Sequence, residues 1–300
     1  MRMNSKSIKH TNLKNKIHSG KVRDIYEIDE DKLLFVATDR ISAFDVIMEQ
    51  TVPGKGIVLN NLSSFWFDFF SNYNTHFISK AVDFDFSNTN YDEIFDLEIL
   101  KRSTVVKKAK RIDMECVVRG FITGSAWNEY KSRNSVNFKP IMENLLEAEK
   151  FNTPIFTPST KAEEGHDEAL SEAEGKNLVG SEIYSKLENL SINLYSKAAK
   201  FCENKGILLA DTKFEFGFID DQIVLIDEVL TPDSSRFWKS SDYKLGYSPD
   251  PFDKQFLRNW LNDQVWDKTP PPPDLPDSVI KNTLKRYLDI YEIITNDNLE

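Results

Sequence analysis

Alternating apolar and polar positions, separated by turn-forming residues, predict antiparallel strand pairs in several parts of the chain. Runs of this kind that are rich in β-branched and aromatic residues are typical of half-buried strands. The predicted strands cover residues 22–28, 33–38, 104–109, 114–119, 208–218 and 223–229. Along 208–218, one side carries Thr212, Phe214, Phe216 and Phe218, and this side is the predicted core face.

Apolar residues that recur every three to four positions predict helices between and after these strands. One predicted helix begins after a cap at Asn60 or Asn61. The other predicted helices cover residues 171–180, 181–206, 252–266 and 278–295. The helix 181–206 has one apolar face made of Ile183, Leu187, Leu190, Leu194 and Ala198, and the last helix has one made of Val279, Thr283, Tyr287 and Tyr291. Antiparallel hairpins with segregated helices favour an α+β fold over a doubly wound sheet.

The segment 151–168, FNTPIFTPSTKAEEGHDE, interrupts this pattern with two prolines and mixed charges. Such a composition between periodic segments predicts a long exposed loop.

Composition narrows the class of protein and its partners. With 300 residues, 40% of them hydrophobic, and a formal net charge of −10, the chain can form a sizeable core, and no general nucleic-acid binding is expected. Two cysteines, Cys116 and Cys202, are too few for a disulfide scaffold and favour a cytoplasmic location. The basic N-terminal stretch lacks the apolar core of a signal peptide, and no run is long enough to span a bilayer, so no membrane association is expected.

Two acids, Glu215 and Asp227, stand inside the last predicted strand pair, where acids are rare and need a partner. A two-residue turn at 220–221 would place Glu215 opposite Ile226 and Asp227 on the other side of the sheet. A three-residue loop would instead place the two acids opposite each other, where like charges repel. A Mg²⁺ ion prefers carboxylate and phosphate oxygens and would relieve that repulsion, and Lys213 would share the face. Solvent-facing acids at a sheet edge are the alternative, and the sequence does not fix the register.

Other stretches combine cations with small residues in ways that suit anionic ligands. SGKVRDIY (Ser19 to Tyr26) places cations at a strand start, although it lacks the P-loop pattern. Arg119 lies among apolar residues close to two glycines, an environment that suits bidentate binding of a carboxylate or phosphate. TDRISAFDV, VPGKG, DSSRFW and FLRNW add further charged residues at predicted strand ends, loops and a helix. For each stretch alone, surface charges or structural ion pairs are the alternative explanation.

Together these stretches resemble one enzyme family. The matching blocks are GKVRDIY, TDRISAFDV, VPGKG, VVRGFITGSAW, TPSTKAEEGHDE, LLADTKFEFGF, IDEVLTPDSSRFW and FDKQFLRNW, in the family's order. With these blocks the chain resembles the phosphoribosylaminoimidazole-succinocarboxamide synthases, also called SAICAR synthetases. The TPSTKAEEGHDE block is similar to the longer, yeast-like branch of the family.

The resemblance implies a two-lobe α+β fold of the SAICAR synthase type, kinase-like or ATP-grasp-like, with antiparallel sheets and flanking helices. Residues 1–115 would form a sheet lobe with a nucleotide phosphate loop, and residues 116–300 would carry the metal and substrate sites. The implied reaction joins L-aspartate to the carboxylate of the ribonucleotide CAIR, with ATP and Mg²⁺, through an acyl phosphate. CAIR and L-aspartate are therefore the implied partners, and the yeast-like branch favours a monomer.

The resemblance also assigns roles to individual residues. Glu215 and Asp227 resemble the Mg²⁺ ligands, and Lys213 resembles the residue that steadies the transferring phosphoryl group. The implied nucleotide contacts are Gly20, Lys21, Val22, Arg23, Glu115 and Val117, of which Glu115 to Val117 resemble a connector whose backbone contacts adenine. The implied substrate contacts are Asp39, Arg40, Ser42, Arg119, Ser125, Lys161, His166, Asp167, Asp211, Arg236 and Arg258.

Two other function classes compete with this interpretation. A phosphotransferase would release a stable phosphorylated product without aspartate, and a protein kinase would need an HRD-type catalytic loop, which none of the four histidines provides. A catalytically silent nucleotide-binding protein is disfavoured because Lys213, Glu215 and Asp227 occur together.

Overall fold

The computed structural model describes residues 6–89, 91, 95–161, 167–252 and 254–299. It divides the chain into two compact units, each assembled from separate segments. Unit 1 comprises Met1–Lys110, Ile219–Asp233 and Phe252–Glu300, and unit 2 comprises Arg111–Phe218 and Ser234–Pro251. The predicted boundary at residue 115 lies near the first division, but the two later segments of unit 1 group with the N-terminal part of the chain.

The described residues form sixteen strands and seven α-helices. The strands are β1 (Lys16–Ser19), β2 (Arg23–Glu27), β3 (Lys32–Ala37), β4 (Arg40–Ala43), β5 (Val46–Thr51), β6 (Phe77–Lys80), β7 (Ser103–Lys107), β8 (Lys110–Arg111), β9 (Met114–Phe121), β10 (Ser135–Val136), β11 (Lys139–Pro140), β12 (Lys150–Phe156), β13 (Ser159–Thr160), β14 (Ile207–Ile219), β15 (Gln222–Ile226) and β16 (Ser235–Lys239). The helices are α1 (Lys55–Phe69), α2 (Leu97–Leu100), α3 (Gly124–Arg133), α4 (Glu172–Val179), α5 (Ser181–Glu203), α6 (Gln255–Asn262) and α7 (Asp277–Thr295).

Unit 1 is built on an antiparallel sheet in the order β1-β2-β3-β7-β6, with a separate hairpin of β4 and β5. The predicted hairpin at 22–38 is confirmed as β2 and β3. One apolar core lies on this sheet, and a second joins the β4–β5 hairpin to α6 and α7. The predicted inner face of α7 is confirmed, since its four residues are at most 4% exposed.

Helix α1 begins earlier than predicted, at Lys55 rather than near Asn60. Its N-cap is Gly54, with φ 89°, a left-handed conformation that favours glycine. A Cβ on Gly56 would lie 2.1 Å from the Ala37 carbonyl oxygen, so the first turn of α1 lies directly against the end of β3. The prediction from the Asn60 or Asn61 cap was wrong because glycines in VPGKG permit a close backbone approach that periodicity alone does not show.

In unit 2, β9 is an interior strand that pairs with β12 and β13 on one side and with β14 on the other. Helix α5 packs against β9 and β12. Leu187, Leu194 and Ala198 are buried on α5 as predicted, whereas Ile183 and Leu190 are only half-buried. Tyr184 and Tyr195, which the apolar periodicity left out, complete the buried face.

The predicted exposed loop at 151–168 is wrong over its first half. Residues 150–156 and 159–160 are strands, and Phe151, Phe156 and Thr157 are buried. The prolines are tolerated because Pro154 lies in an irregular stretch of the β12–β9 ladder and Pro158 lies between β12 and β13. His166 falls in 162–166, outside the described residues.

The last predicted hairpin has the shorter of the two loops considered. β14 ends at Ile219 and β15 begins at Gln222, and both residues between them, Asp220 and Asp221, have positive φ values of 48° and 59°. That is the requirement of a type I′ turn. Asp227 follows the end of β15 with φ 67°, so its predicted position inside a strand was wrong: a left-handed residue cannot continue a strand.

Candidate functional site

Two lysines and two glutamates form a charged group in unit 2, here called the Glu215 cluster: Glu115, Lys161, Lys213 and Glu215. Lys213 Nζ lies 2.6 Å from Glu115 Oε1 and 2.8 Å from Glu215 Oε1, and Lys161 Nζ also donates to Glu215 Oε1. Glu215 is only 4% exposed. An acid in a buried strand was expected to have a cationic partner, and within unit 2 Glu215 has two, Lys213 and Lys161.

Strand register explains why the two glutamates lie together. Lys213 pairs with Val117 and Phe214 with Cys116, and the same register continued by one residue places Glu215 opposite Glu115. Burial raises the pKa of Glu115, an effect that nearby Lys213 opposes. Like charges on one face repel, so this face is suited to binding cations between the acids or anions at the lysines.

A second charged group in unit 2 has two arginines on one carboxylate. Asp211 of β14 pairs in register with Arg119 of β9 and with Arg236 of β16, and an Nη1 of each arginine lies 3.0 Å from Asp211 Oδ2. Arg119 also donates to Thr157 Oγ1 at 3.0 Å and to Ser125 Oγ at 3.1 Å. Two guanidinium groups around one acid leave a surplus positive charge, which suits a phosphate or carboxylate ligand.

Gly124 makes room for this group. It has φ 58°, and a Cβ there would lie 2.5 Å from Arg236 Nη1. Both the positive φ value and the close approach of the Arg236 guanidinium therefore require a glycine at position 124.

The adenine contact expected of Glu115 to Val117 stays a prediction. These residues belong to an interior strand, and the Val117 carbonyl already accepts a hydrogen bond from the Thr157 amide at 2.8 Å. Asp167 is exposed at the end of the undescribed stretch.

In unit 1, the segment from Gly20 to Arg23 is tied to neighbouring strands through its backbone. The Gly20 carbonyl accepts from Arg40 Nη2 at 2.9 Å, and the Val22 carbonyl accepts from the Thr38 amide at 2.9 Å. Lys21 is exposed and its ammonium contacts Asp45. The backbone is thus fixed while the Lys21 side chain stays accessible, as a phosphate-contacting segment requires.

Asp39 and Arg40 have buried protein partners. Arg102 Nη1 lies 2.8 Å from Asp39 Oδ1, and Arg40 Nη2 lies 2.9 Å from Asp24 Oδ1, with all four side chains at most 2% exposed. Both ion pairs lie in the core of unit 1. They give no support to a substrate contact of Asp39 or Arg40, which stays a prediction. Ser42, in β4, is half-buried.

Arg23 and Asp227 form an ion pair of 2.7 Å, with their side chains about one fifth exposed. Glu228 lies 3.7 Å from the same guanidinium. These three residues line a cavity in unit 1 together with Phe35, Ala37, Leu59, Asn60, Ser63 and Thr104.

Sequence analysis did not identify a buried charged group around Asp233, here called the Asp233 cluster: Lys55, Asp233, Lys254 and Tyr287. Lys55 Nζ lies 2.8 Å and Lys254 Nζ 3.2 Å from Asp233 Oδ2, and Tyr287 donates to Oδ1. Burial alone would raise the pKa of Asp233, but the two lysines outweigh it and lower that pKa. Lys55 and Asp233 lie in the VPGKG and DSSRFW blocks, yet only folding pairs residues 178 positions apart. Arg258, half-buried on α6, lies near Lys254.

Among the described residues, no group of three or more acid, histidine or cysteine side chains is arranged to hold a metal ion. A Mg²⁺ ion bound together with a nucleotide needs only one or two carboxylates, because phosphates and water supply its other ligands. Glu215 and Asp227 are of the required hard-oxygen type.

Comparison with known proteins identifies the family. The SAICAR synthetase family model matches residues 16–273. The phosphoribosylaminoimidazole-succinocarboxamide synthases of Schizosaccharomyces pombe and Saccharomyces cerevisiae are 49% and 47% identical to this chain, covering 93% and 92% of it and 94% and 92% of their own lengths.

Solved structures agree with the sequence relatives. The Saccharomyces cerevisiae SAICAR synthase in complex with SAICAR superposes with a TM-score of 0.88 at 43% identity, covering 97% of this chain and 99% of the other. A SAICAR synthetase in complex with ADP superposes with a TM-score of 0.68 at 25% identity, covering 94% and 99%. The predicted α+β fold of this type is confirmed, and the chain belongs to the SAICAR synthetase family.

Proposed function

We infer that this chain catalyses the ATP-dependent ligation of L-aspartate to CAIR, which gives SAICAR, ADP and phosphate in purine biosynthesis. The family assignment supports the reaction, and relatives that bind SAICAR and ADP support the substrate and nucleotide classes. The observation in the structure that carries the proposal is the group of cations in unit 2, where Lys161, Lys213, Arg119 and Arg236 are partly exposed. Because the chain has a formal net charge of −10, this local positive group points to anionic substrates.

The chemistry requires activation of a carboxylate, since oxide is a very poor leaving group. The CAIR carboxylate oxygen attacks the γ-phosphorus of ATP, the bond from that phosphorus to ADP breaks, and an acyl phosphate forms. The amine of L-aspartate then attacks the acyl carbon, the new C–N bond forms, phosphate leaves and the amine loses a proton. Lysines and arginines stabilise the negative charge that moves to oxygen in both steps.

Individual residues fit parts of this reaction. Lys213 is the group that steadies the transferring phosphoryl group, because its ammonium is partly exposed beside buried Glu215. Arg119 and Arg236 bind the phosphate or carboxylate of CAIR, with Asp211 orienting both. Lys21 and Arg23 contact the ATP phosphates, and Lys161 and Asp167 contact the substrates.

Glu215 and Asp227 would hold Mg²⁺. The ion supplies charge neutralisation at the nucleotide phosphates. Each carboxylate has a cationic partner in this structure, lysines for Glu215 and Arg23 for Asp227, and a divalent cation would compete with these partners.

The decisive experiment is an assay of the purified chain with ATP, Mg²⁺, CAIR and L-aspartate, in which each component is omitted in turn. Phosphate release is expected only with all four present. A stable phosphorylated product formed without aspartate would instead identify a phosphotransferase. The Asp227→Asn variant should be folded but inactive, and unimpaired turnover would remove Asp227 from the metal site.

We also propose a monomer located in the cytoplasm. None of the helices in the described part of the chain is long and apolar enough to cross a membrane. Light scattering during size-exclusion chromatography tests the monomer, for which a mass near 34.7 kDa is expected.

A further inference from the structure

Arg23 lies beside two acidic side chains in unit 1. Its Nη2 donates to Asp227 Oδ2 at 2.7 Å and lies 3.7 Å from Glu228 Oε1. Thr231 Oγ1 donates to the other carboxylate oxygen of Glu228 at 2.7 Å, so this acid is also held from its far side. The guanidinium is therefore a cation shared by two neighbouring carboxylates.

The backbone fixes both sides of this contact. Arg23 begins β2, where it pairs with Ala37 of β3, and its carbonyl accepts a hydrogen bond from the Gly20 amide at 2.7 Å. Its guanidinium carbon lies 5.9 Å from the centre of the Phe35 ring. Asp227 follows β15 with φ 67°, in the left-handed region that residues with a side chain rarely adopt. The ion pair thus joins two defined backbone positions.

The contact is partly buried and still reachable by a ligand. The side chains of Arg23, Asp227 and Glu228 are 18%, 20% and 13% exposed, and the three residues line the cavity in unit 1. Water and salt screen a partly buried ion pair less than an exposed one, so this pair competes with ligands of either charge. A metal ion at Asp227 would have to displace the guanidinium, and a phosphate at Arg23 would have to displace the carboxylate.

We propose that Arg23 is a specificity-determining residue for the metal ion: its guanidinium occupies the cation position beside Asp227 and Glu228 and gives way to a metal ion that arrives with a nucleotide. The phosphates then take over the guanidinium while the metal ion takes over the carboxylate. Either ligand alone would break the Arg23–Asp227 pair and replace only one half of it. The inference rests on the proposed function, which assigns Arg23 to the ATP phosphates and Asp227 to the metal.

Binding of Mn²⁺ without any nucleotide tests this exchange. Mn²⁺ prefers the same hard oxygen ligands as Mg²⁺, and its EPR signal measures the concentration of the free ion. In Arg23→Gln, two carboxylates face the ion without the guanidinium between them, so we expect Mn²⁺ to bind at least about tenfold more tightly than to the wild-type chain. If Arg23 contacted only the nucleotide, binding of the metal alone would not change.

ADP binding, measured by calorimetry, gives a second readout. The ratio of the dissociation constants in EDTA and in Mg²⁺ reports how strongly metal and nucleotide assist each other. We expect Arg23→Gln to reduce this ratio by about the factor gained in Mn²⁺ binding, because the coupling between two ligands is reciprocal. Direct coordination of Mg²⁺ by the phosphates should preserve the rest of the ratio.

Three variants serve as controls. Arg23→Lys keeps the cation and should bind Mn²⁺ nearly as the wild-type chain does. Arg111→Gln removes one exposed positive charge, paired with Asp113 at 2.8 Å, and should leave Mn²⁺ binding unchanged. Arg23→Gln combined with Asp227→Asn should lose the tighter binding. Arg23→Met also removes the charge while keeping the aliphatic part of the side chain, and it replaces the Gln variant should that variant not fold.

Two results would overturn the proposal. One is Mn²⁺ binding that is unchanged or weaker once the charge of Arg23 is removed. The other is tighter binding that persists in the double variant, which would locate the ion away from Asp227. Failure of the wild-type chain to form SAICAR would refute the proposed function, whereas the Mn²⁺ titration needs no substrate and still decides whether Arg23 excludes the metal.

Discussion

Lys213 places its ammonium nitrogen 2.8 Å from Oε1 of Glu215, two residues further along β14. Side chains two positions apart share a face of a strand, so the contact confirms the predicted common face. The acid is buried, whereas the side chains of Lys213 and Lys161 are 29% and 25% exposed. The lysines can therefore reach a ligand while Glu215 keeps them in place.

The Glu215→Gln variant tests this arrangement. The amide keeps the shape of the side chain but cannot pair with two lysines or hold a divalent cation, so we expect turnover to fall at least about 100-fold. The measurement is the rate of ADP release in the complete reaction. Glu182→Gln is the matched control, because it removes an exposed pair with Lys186 and should leave the rate unchanged. Wild-type turnover in the Glu215 variant would exclude this carboxylate from the chemistry.

Gly124→Ala should weaken binding of CAIR. The added methyl group would collide with the Arg236 guanidinium and move it from Asp211, so we expect the KM for CAIR to rise about tenfold or more. Gly180→Ala is the control: it also has positive φ, at 86°, but nothing lies within 4 Å of the added Cβ. Both variants should lose stability from backbone strain, about 1–3 kcal/mol each, because both glycines have backbone conformations that residues with a side chain rarely adopt. Equal KM values in the two variants would contradict a role of Arg236 in binding.

Tyr287→Phe should destabilise the protein through the Asp233 cluster. The variant removes the hydroxyl that donates to Asp233 and leaves the buried carboxylate with its two lysines, at an expected cost of about 1–3 kcal/mol in the free energy of unfolding. Urea denaturation measures this change. Tyr291→Phe, one turn later on α7, removes only a 3.3 Å contact with Asp297 near the C-terminus and should have little effect. Similar losses in both would assign the effect to α7 packing.

The pH dependence of stability should carry a contribution from Asp24. Burial opposes its ionisation, but hydrogen bonds from Arg40, Thr11 and Ser19 outweigh this and lower its pKa from 3.8 to about 2. A carboxyl group with a lowered pKa stabilises the fold above pH 3.8, and this contribution is lost as the pH falls through 2.

In Asp24→Asn, urea denaturation between pH 5 and pH 2 should therefore show a flatter decline than in the wild-type chain. Asp113→Asn, which removes an exposed partner of Arg111, should keep the wild-type slope. An unchanged slope in the Asp24 variant would contradict the lowered pKa.

The elements of this fold could be predicted where one segment determines its own structure. The hairpin of β2 and β3 and the inner face of α7 follow from local alternation and helical spacing. The start of α1 and the strands at 150–160 could not be predicted this way. The start of α1 depends on the contact of Gly56 with the end of β3. The strands at 150–160 form because they pair with β9, which lies about 30 residues earlier in the chain.

The candidate site shows the same division. Sequence blocks indicated Lys213, Glu215, Arg119 and Arg236 as charged residues near an anionic ligand, because cations beside glycines and acids on strands are chemically conspicuous. They could not show which charges neutralise each other. Arg40 with Asp24, and Lys55 with Asp233, are pairs that only the fold reveals.

By itself, the sequence determined the family, the α+β class and the chemical types of the site residues, since each depends on residue identity in short stretches. The tertiary structure decided which charged residues of the described ion pairs lie together, the two-residue turn before β15 and the left-handed conformation of Asp227. The physical reason is that ion pairing and backbone strain depend on distances between residues far apart in the chain, and a linear pattern contains no such distances.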